Sequence, residues 1–205
     1  MFGPHAHPEV SMHTPSFADY VTCLNNGDLE GVGELMLASA RKLASAGADL
    51  LICPDNTIHQ AFDYVESRSP LPWLHIAEEV ALVASERGYK RLGITGTSWL
   101  VNSVVYPDKL VEKGLQYLRP SDSERDEMSR IIMDELVYGV ATPEATAYFQ
   151  SVIQSFKNEN CDAVILGCTE IPLLVSDANS SLPTLDSTRL LARAALRRAA
   201  EAGAD

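Results

Sequence analysis

Two short apolar runs, each followed by a polar turn, constrain the fold of this chain more than any other feature. The first run covers residues 49–53 and leads into Asp55, and the second covers residues 162–166 and leads into Cys168. Continuous apolar runs of this length are typical of parallel strands that helices cover on both faces. Each run also follows the end of a predicted helix, so the order of helix, strand and polar turn occurs twice. In open α/β sheets ligands bind at the carboxyl ends of strands, so both turns are expected to face a small molecule.

The other segments alternate between strand-like and helical patterns, which predicts parallel sheets flanked by helices. Further strands are predicted at residues 10–13, 72–75, 91–95 and 183–185, and helices at residues 28–46, 76–87, 121–139, 143–160 and 187–202. The predicted fold class is therefore α/β, with two pseudo-symmetric lobes, each a parallel sheet flanked by helices, and an active site in the crevice between them. We assign residues 1–88 to an N-terminal lobe, residues 89–185 to a C-terminal lobe, and residues 186–205 to a helix that packs back on the N-terminal lobe.

Charge and composition argue against several functions. Acidic residues outnumber basic ones 28 to 16, giving a net charge of −12, whereas nucleic-acid binding needs clustered Lys and Arg. No apolar run approaches the roughly 18–20 residues of a membrane span. The first residues do not resemble a secretory signal, so we expect a cytoplasmic protein. The 4 cysteines show neither a disulfide framework nor zinc spacing, and the irregularly spaced histidines predict no metal site.

Cys168 has the position of a reactive thiol. It follows a predicted strand and Gly167, and it precedes a predicted helix N-terminus, where N–H groups and the helix dipole lower the pKa of a thiol. A thiolate at this position could act as a base or as a nucleophile. The alternative is a buried, inert cysteine, which is common in soluble proteins.

Several motifs together resemble those of the aspartate/glutamate racemase superfamily, and in particular its broad-specificity amino-acid racemase branch. These motifs lie at residues 15–19, 56–59, 93–98, Tyr106, 167–173 and 185–186. The similarity extends over nearly the whole chain. It implies an amino-acid racemase that works without pyridoxal phosphate, metal or any other cofactor, and that is usually a homodimer.

The resemblance also implies a two-base mechanism, in which one residue removes the α-proton and another delivers a proton to the opposite face. In most members of the superfamily both residues are cysteines at the ends of equivalent strands. Cys168 matches the second cysteine, whereas Asp55 occupies the position of the first. Cys53 lies two residues before Asp55, roughly 6–7 Å further back along the strand. We therefore interpret Cys53 as a core residue.

Asp55 is open to two interpretations. As a catalytic base it would need a pKa that is raised by desolvation in a closed crevice and by repulsion from a Cys168 thiolate. As a helix cap it would accept a backbone N–H at the start of the following helix. A carboxylate is a weaker base than a thiolate, so abstraction of a poorly acidic α-proton would require compensation from the site.

Polar residues around the turns are candidate substrate ligands. Thr57, Thr97, Ser98 and Thr169 are similar to residues that hold a substrate carboxylate through hydroxyl and N–H donors, although each could simply cap a helix. The resemblance assigns Asn56 to the same site.

His59 and Glu170 also lie beside the predicted crevice. His59 could orient a polar network or bind the substrate, or it could make a structural hydrogen bond. Glu170 could hold a backbone amide or the amino group of the substrate. Phe17 stands where some aspartate-selective relatives carry an arginine, so no preference for an acidic side chain is predicted.

The resemblance predicts a difference at the start of the chain. Relatives usually open with a strand, a Gly-Gly loop and a helix, and we expect that about 35–45 residues of this kind are missing here. A partner subunit would cover the sheet edge left by such a loss, which again predicts a homodimer. The leading hypothesis is a racemase acting on an amino acid or a related carboxylate. The alternatives are a one-cysteine decarboxylase or isomerase, and a catalytically silent protein that binds a carboxylate.

Overall fold

In the computed structural model, which describes residues 5–202, helices and strands alternate along the chain. The strands are β1 (Arg91–Thr95), β2 (Gln116–Leu118), β3 (Ala163–Leu166) and β4 (Thr184–Asp186). The α-helices are α1 (Phe17–Asn25), α2 (Leu29–Ser45), α3 (Phe62–Glu66), α4 (Ile76–Glu86), α5 (Ser98–Val101), α6 (Val105–Glu112), α7 (Asp122–Asp134), α8 (Pro143–Asn158) and α9 (Ser187–Ala202). Short 3-10 helices cover Thr57–Ala61, Leu136–Tyr138 and Ile171–Leu173. None of these helices is both long and apolar enough to cross a membrane.

The strands form one parallel sheet in the order β2-β1-β3-β4. Thr95 at the end of β1 pairs with Leu166 at the end of β3, so both strands end at the same level. Gly167 permits the close approach of the two turns that follow. Its N–H donates to the carbonyl oxygen of Thr95 at 3.1 Å, and a Cβ atom at residue 167 would collide with that oxygen. The sheet therefore places the turns that carry Thr97 and Cys168 side by side.

Helices cover both faces of the sheet, as the alternating side chains of β3 show. Ala163 and Ile165 pack into a core with α4, α5, α6 and α9. Val164 and Leu166 point to the opposite face and pack into a core with α7 and α8. All residues of this strand are buried, which explains its continuous apolar sequence. The predicted α/β fold with a parallel sheet flanked by helices is confirmed.

The N-terminal part of the chain has a separate, mainly helical core. Tyr20 and Leu24 of α1 and Val32 of α2 pack there with Val65 of α3. The prediction of a strand at residues 10–13 is wrong, because that segment has no regular secondary structure.

The predicted strands at residues 49–53 and 72–75 are reduced to a single parallel bridge. Leu51 pairs with Trp73. The backbone N–H of Leu51 donates to Pro72 at 2.9 Å, and that of Leu74 donates to Leu51 at 3.1 Å. Pro54 and Pro72 have no N–H with which to extend this pairing, so the ladder remains short.

The C-terminal helix α9 packs along α4. Arg197 of α9 also lies 3.8 Å from the carboxylate of Glu79 on α4. Helix α4 in turn shares its core with the sheet through Ala77 and Val80. The lobe boundaries at residues 88 and 185 stay a prediction.

Candidate functional site

A cavity of about 70 Å³ lies where the turn at residues 55–57 meets the carboxyl ends of β1 and β3. The predicted site residues that line it are Asp55, Asn56, Thr57, Thr97, Cys168, Thr169 and Glu170. His59 and Ser98 lie outside this lining. The two polar turns that the sequence singled out therefore face a common space.

Cys168 is a half-buried thiol that hydrogen-bonds to a neighbouring carboxylate. Its Sγ donates to Oε2 of Glu170 at 2.9 Å, and the hydroxyl of Thr169 donates to the same oxygen at 2.6 Å. Burial, together with the negative charge of Glu170, raises the pKa of Cys168 well above its ordinary value. The expected lowering of this pKa by a helix N-terminus is wrong, because the next regular element is the short 3-10 helix Ile171–Leu173. The thiol is thus a proton donor in the resting site.

Asp55 both caps the following 3-10 helix and lines the cavity. Its Oδ1 accepts hydrogen bonds from the backbone N–H of Ile58 at 3.0 Å and from the hydroxyl of Tyr20 at 3.2 Å. Burial raises the pKa of the Asp55 carboxyl, although these hydrogen bonds oppose the shift. The two interpretations of Asp55 are therefore compatible, since one oxygen serves as the cap while the side chain faces the cavity.

Thr57 and Thr97 join the two sides of the cavity. Their hydroxyl oxygens lie 3.3 Å apart, and both residues are buried. Thr97 Oγ1 also accepts the backbone N–H of Leu100 at 3.4 Å, so it caps α5 as well. Ser98 is directed elsewhere, since its hydroxyl donates to the carbonyl oxygen of Arg125 in α7 at 3.3 Å.

A buried chain of hydrogen bonds fixes the turn at residues 55–57 to the sheet. Tyr106 donates its hydroxyl proton to Oδ1 of Asn56 at 2.6 Å. The amide nitrogen of Asn56 donates to Ser187 at 3.0 Å, and Ser187 donates to the carbonyl oxygen of Leu166 at 2.8 Å. Both ends of the Asn56 amide are thus engaged, which suits a role in positioning Asp55. Sequence reasoning missed Ser187, whose place at the start of α9 resembles that of an ordinary helix cap.

His59 is buried, and Cys53 is partly buried. His59 Nδ1 lies 2.8 Å from the carbonyl oxygen of Asp55, and its Nε2 accepts the backbone N–H of Ile76 at 3.3 Å. This pattern requires a neutral ring that donates through Nδ1, and burial accordingly lowers the pKa of His59 to about 4. Burial raises the pKa of Cys53 to about 12. His59 thus supports the backbone of Asp55, and neither side chain lines the cavity.

Much of the remaining lining is an apolar wall, of which the sequence had pointed to Phe17 alone. The apolar wall consists of Phe17, Val21 and Leu24 of α1, Trp99 of α5, and Ile132 and Met133 of α7. Residues 17, 20, 21 and 24 are spaced as one face of a helix, and this signal could have identified α1 as part of the site. The contributions of α5 and α7 depend on tertiary packing.

The fold and the site together define an α/β protein in which polar turns from separate parts of the chain meet at a cavity. Residues 1–195 match the Asp/Glu/Hydantoin racemase family, and the chain belongs to that family.

Solved structures and a curated relative agree with this assignment. A proposed Asp/Glu racemase from Yersinia pestis is 31% identical, with a TM-score of 0.81, and the match covers 90% of this chain and 81% of that protein. An aspartate racemase homologue from Pyrococcus horikoshii OT3 is 29% identical, with a TM-score of 0.83 and coverage of 97% and 87%. The broad specificity amino-acid racemase RacX of Bacillus subtilis (strain 168) is 24% identical over 186 residues, which are 89% of this chain and 77% of RacX. These similarities confirm the resemblance seen in the sequence and support a racemase-like function.

Proposed function

We propose that this protein is an amino-acid racemase that works without a cofactor, with Cys168 and Asp55 acting on opposite faces of the substrate α-carbon. The observation that carries the proposal is that both side chains line one cavity, although they come from turns more than a hundred residues apart. A base and an acid directed at the same carbon are what a two-base racemisation requires.

The resting site contains one group suited to each task. The raised pKa of Cys168 keeps its thiol protonated and ready to donate, whereas the raised pKa of Asp55 makes its carboxylate a stronger base than an exposed aspartate. In the forward direction Asp55 accepts the α-proton, and the electron pair of the broken C–H bond remains on the substrate as a carbanion. Cys168 then donates its proton to the opposite face and becomes a thiolate. The reverse direction exchanges the two roles.

Polar groups beside the pair are suited to hold the substrate. The hydroxyls of Thr57, Thr97 and Thr169 line the cavity and can donate to the α-carboxylate. Glu170 accepts a hydrogen bond from the Cys168 thiol in the resting site, and so it can relay a proton from solvent to the Cys168 thiolate after turnover. The homodimer and the cytoplasmic location that the sequence suggested stay predictions.

Solvent deuterium incorporation tests this function. Proton NMR of L- and D-amino acids incubated with the protein in deuterium oxide should show loss of the α-proton signal, and Cys168→Ala should abolish that loss. Cys161→Ala is a matched control, because it removes a buried thiol next to the opposite end of β3. Full activity of Cys168→Ala, or no exchange with any amino acid, would contradict the proposal.

A further inference from the structure

The charged side chains that line the cavity are both acidic. Among the lining residues in the described part of the chain, Asp55 and Glu170 are the charged ones, and none is Lys, Arg or His. Burial raises the pKa of Asp55, and the negative charge of Glu170 adds to this shift. A neutral zwitterion can place its ammonium group near these carboxylates, whereas an acidic amino acid adds a further negative charge with no cation to receive it.

The rest of the cavity suits a hydrocarbon side chain. The apolar wall lines the same cavity as the polar turns, with contributions from α1, α5 and α7. Each methylene buried against such a surface strengthens binding about fourfold.

We infer that the site takes neutral amino acids with aliphatic side chains and discriminates against aspartate and glutamate. This inference rests on the proposed function and names its substrate class. The apolar wall binds the side chain, the threonine hydroxyls bind the α-carboxylate, and Glu170 lies near the ammonium group. The Asp/Glu name of the family therefore does not describe the preference of this member.

The expected discrimination can be worked out from the charges. A side-chain carboxylate placed about 6 Å from one of the lining carboxylates, at an effective dielectric constant of about 20, is disfavoured on the order of 100-fold. Leucine and aspartate make a suitable ligand pair, because their side chains have nearly the same shape. Asparagine separates the effect of polarity from that of charge, and its affinity should lie between the other two.

Titration calorimetry of the wild-type protein with L-leucine, L-asparagine and L-aspartate measures this order directly. Leucine should bind at least 30-fold more tightly than aspartate, because charge repulsion disfavours the aspartate side chain roughly 100-fold. Equal or tighter binding of aspartate would overturn the inference, and so would the failure of all three to bind. The α-deuterium exchange of the same amino acids is measured in parallel.

A variant with a positive charge in the apolar wall tests whether the charge of the cavity sets the preference for leucine over aspartate. Val21 is half-buried in the wall, so Val21→Lys should lower the preference for leucine over aspartate at least tenfold. Thr22→Lys adds the same charge at an exposed neighbour on α1 and should leave the preference unchanged. An unchanged preference in Val21→Lys, with the protein still folded by circular dichroism, would also overturn the inference.

The two readouts separate this inference from the proposed function. Binding in the predicted order without α-deuterium exchange would refute the racemase while supporting the ligand class. Exchange that is fastest with aspartate, together with its tighter binding, would support the racemase and refute the ligand class.

Discussion

Replacing Tyr106 by phenylalanine tests the hydrogen-bond chain that holds the turn at residues 55–57 against the sheet. The hydroxyl of Tyr106 lies 2.6 Å from Oδ1 of Asn56, and these residues are 1% and 3% exposed. Tyr106→Phe leaves a buried amide oxygen without this donor, which costs about 1–3 kcal/mol of unfolding free energy. For a chain of this length, each kcal/mol lowers the melting temperature by about 2–4 °C.

Urea unfolding and thermal melts of Tyr106→Phe measure this loss. Tyr117→Phe is the matched control, because Tyr117 packs partly buried against the same core. The control should change stability by less than about 0.5 kcal/mol. Equal stability of the two variants would refute the view that the contact between Tyr106 and Asn56 fixes the turn.

Two further predictions concern the backbone beside the site. Burial lowers the pKa of His59 to about 4 in the folded protein, against about 6.5 in the unfolded chain. Between these two pH values the unfolded chain binds more protons. The stability of the fold therefore decreases as the pH drops from about 6.5 to 4. Over that pH range His59→Gln should lose up to about 3 kcal/mol less unfolding free energy than the wild type, as measured by urea midpoints. The same dependence of stability on pH in both proteins would contradict the buried neutral ring. Gly167→Ala should lower stability by about 1–3 kcal/mol, because the added Cβ meets the carbonyl oxygen of Thr95, and an unchanged melting temperature would show that the two turns can separate at little cost.

The sequence predicted best those helices and strands whose pattern depends only on residues that are neighbours in the chain. β1 lies at the predicted residues 91–95 because its apolar side chains, Leu92 and Ile94, are bounded by turn residues on both sides. The predicted helix after Cys168 is instead a single 3-10 turn. Ile171, Leu174 and Val175 all insert into the core beside α8, and one turn places them there. The strand at residues 49–53 was lost to prolines that flank its pairing, an effect that depends on which segments lie side by side.

The residues of the candidate site also differ in whether the sequence could predict them. Asp55, Thr97 and Cys168 could be placed from sequence because each follows a predicted strand, and the carboxyl ends of parallel strands meet at one edge of a sheet. Trp99 and Ile132 could not, since their helices reach the cavity only through tertiary packing. Neither could the raised pKa of Cys168, which depends on how deeply the thiol is buried.

The most direct test of the opposed pair is the racemisation rate of Asp55→Asn. Asparagine retains an oxygen that can accept the hydrogen bonds from Ile58 and Tyr20, so the fold should persist while the proposed base is lost. Polarimetry of a single enantiomer, using an amino acid that exchanges its α-proton with the wild type, should show a rate at least about 100-fold lower. A rate within about twofold of the wild type would contradict the assignment of Asp55 as the partner of Cys168.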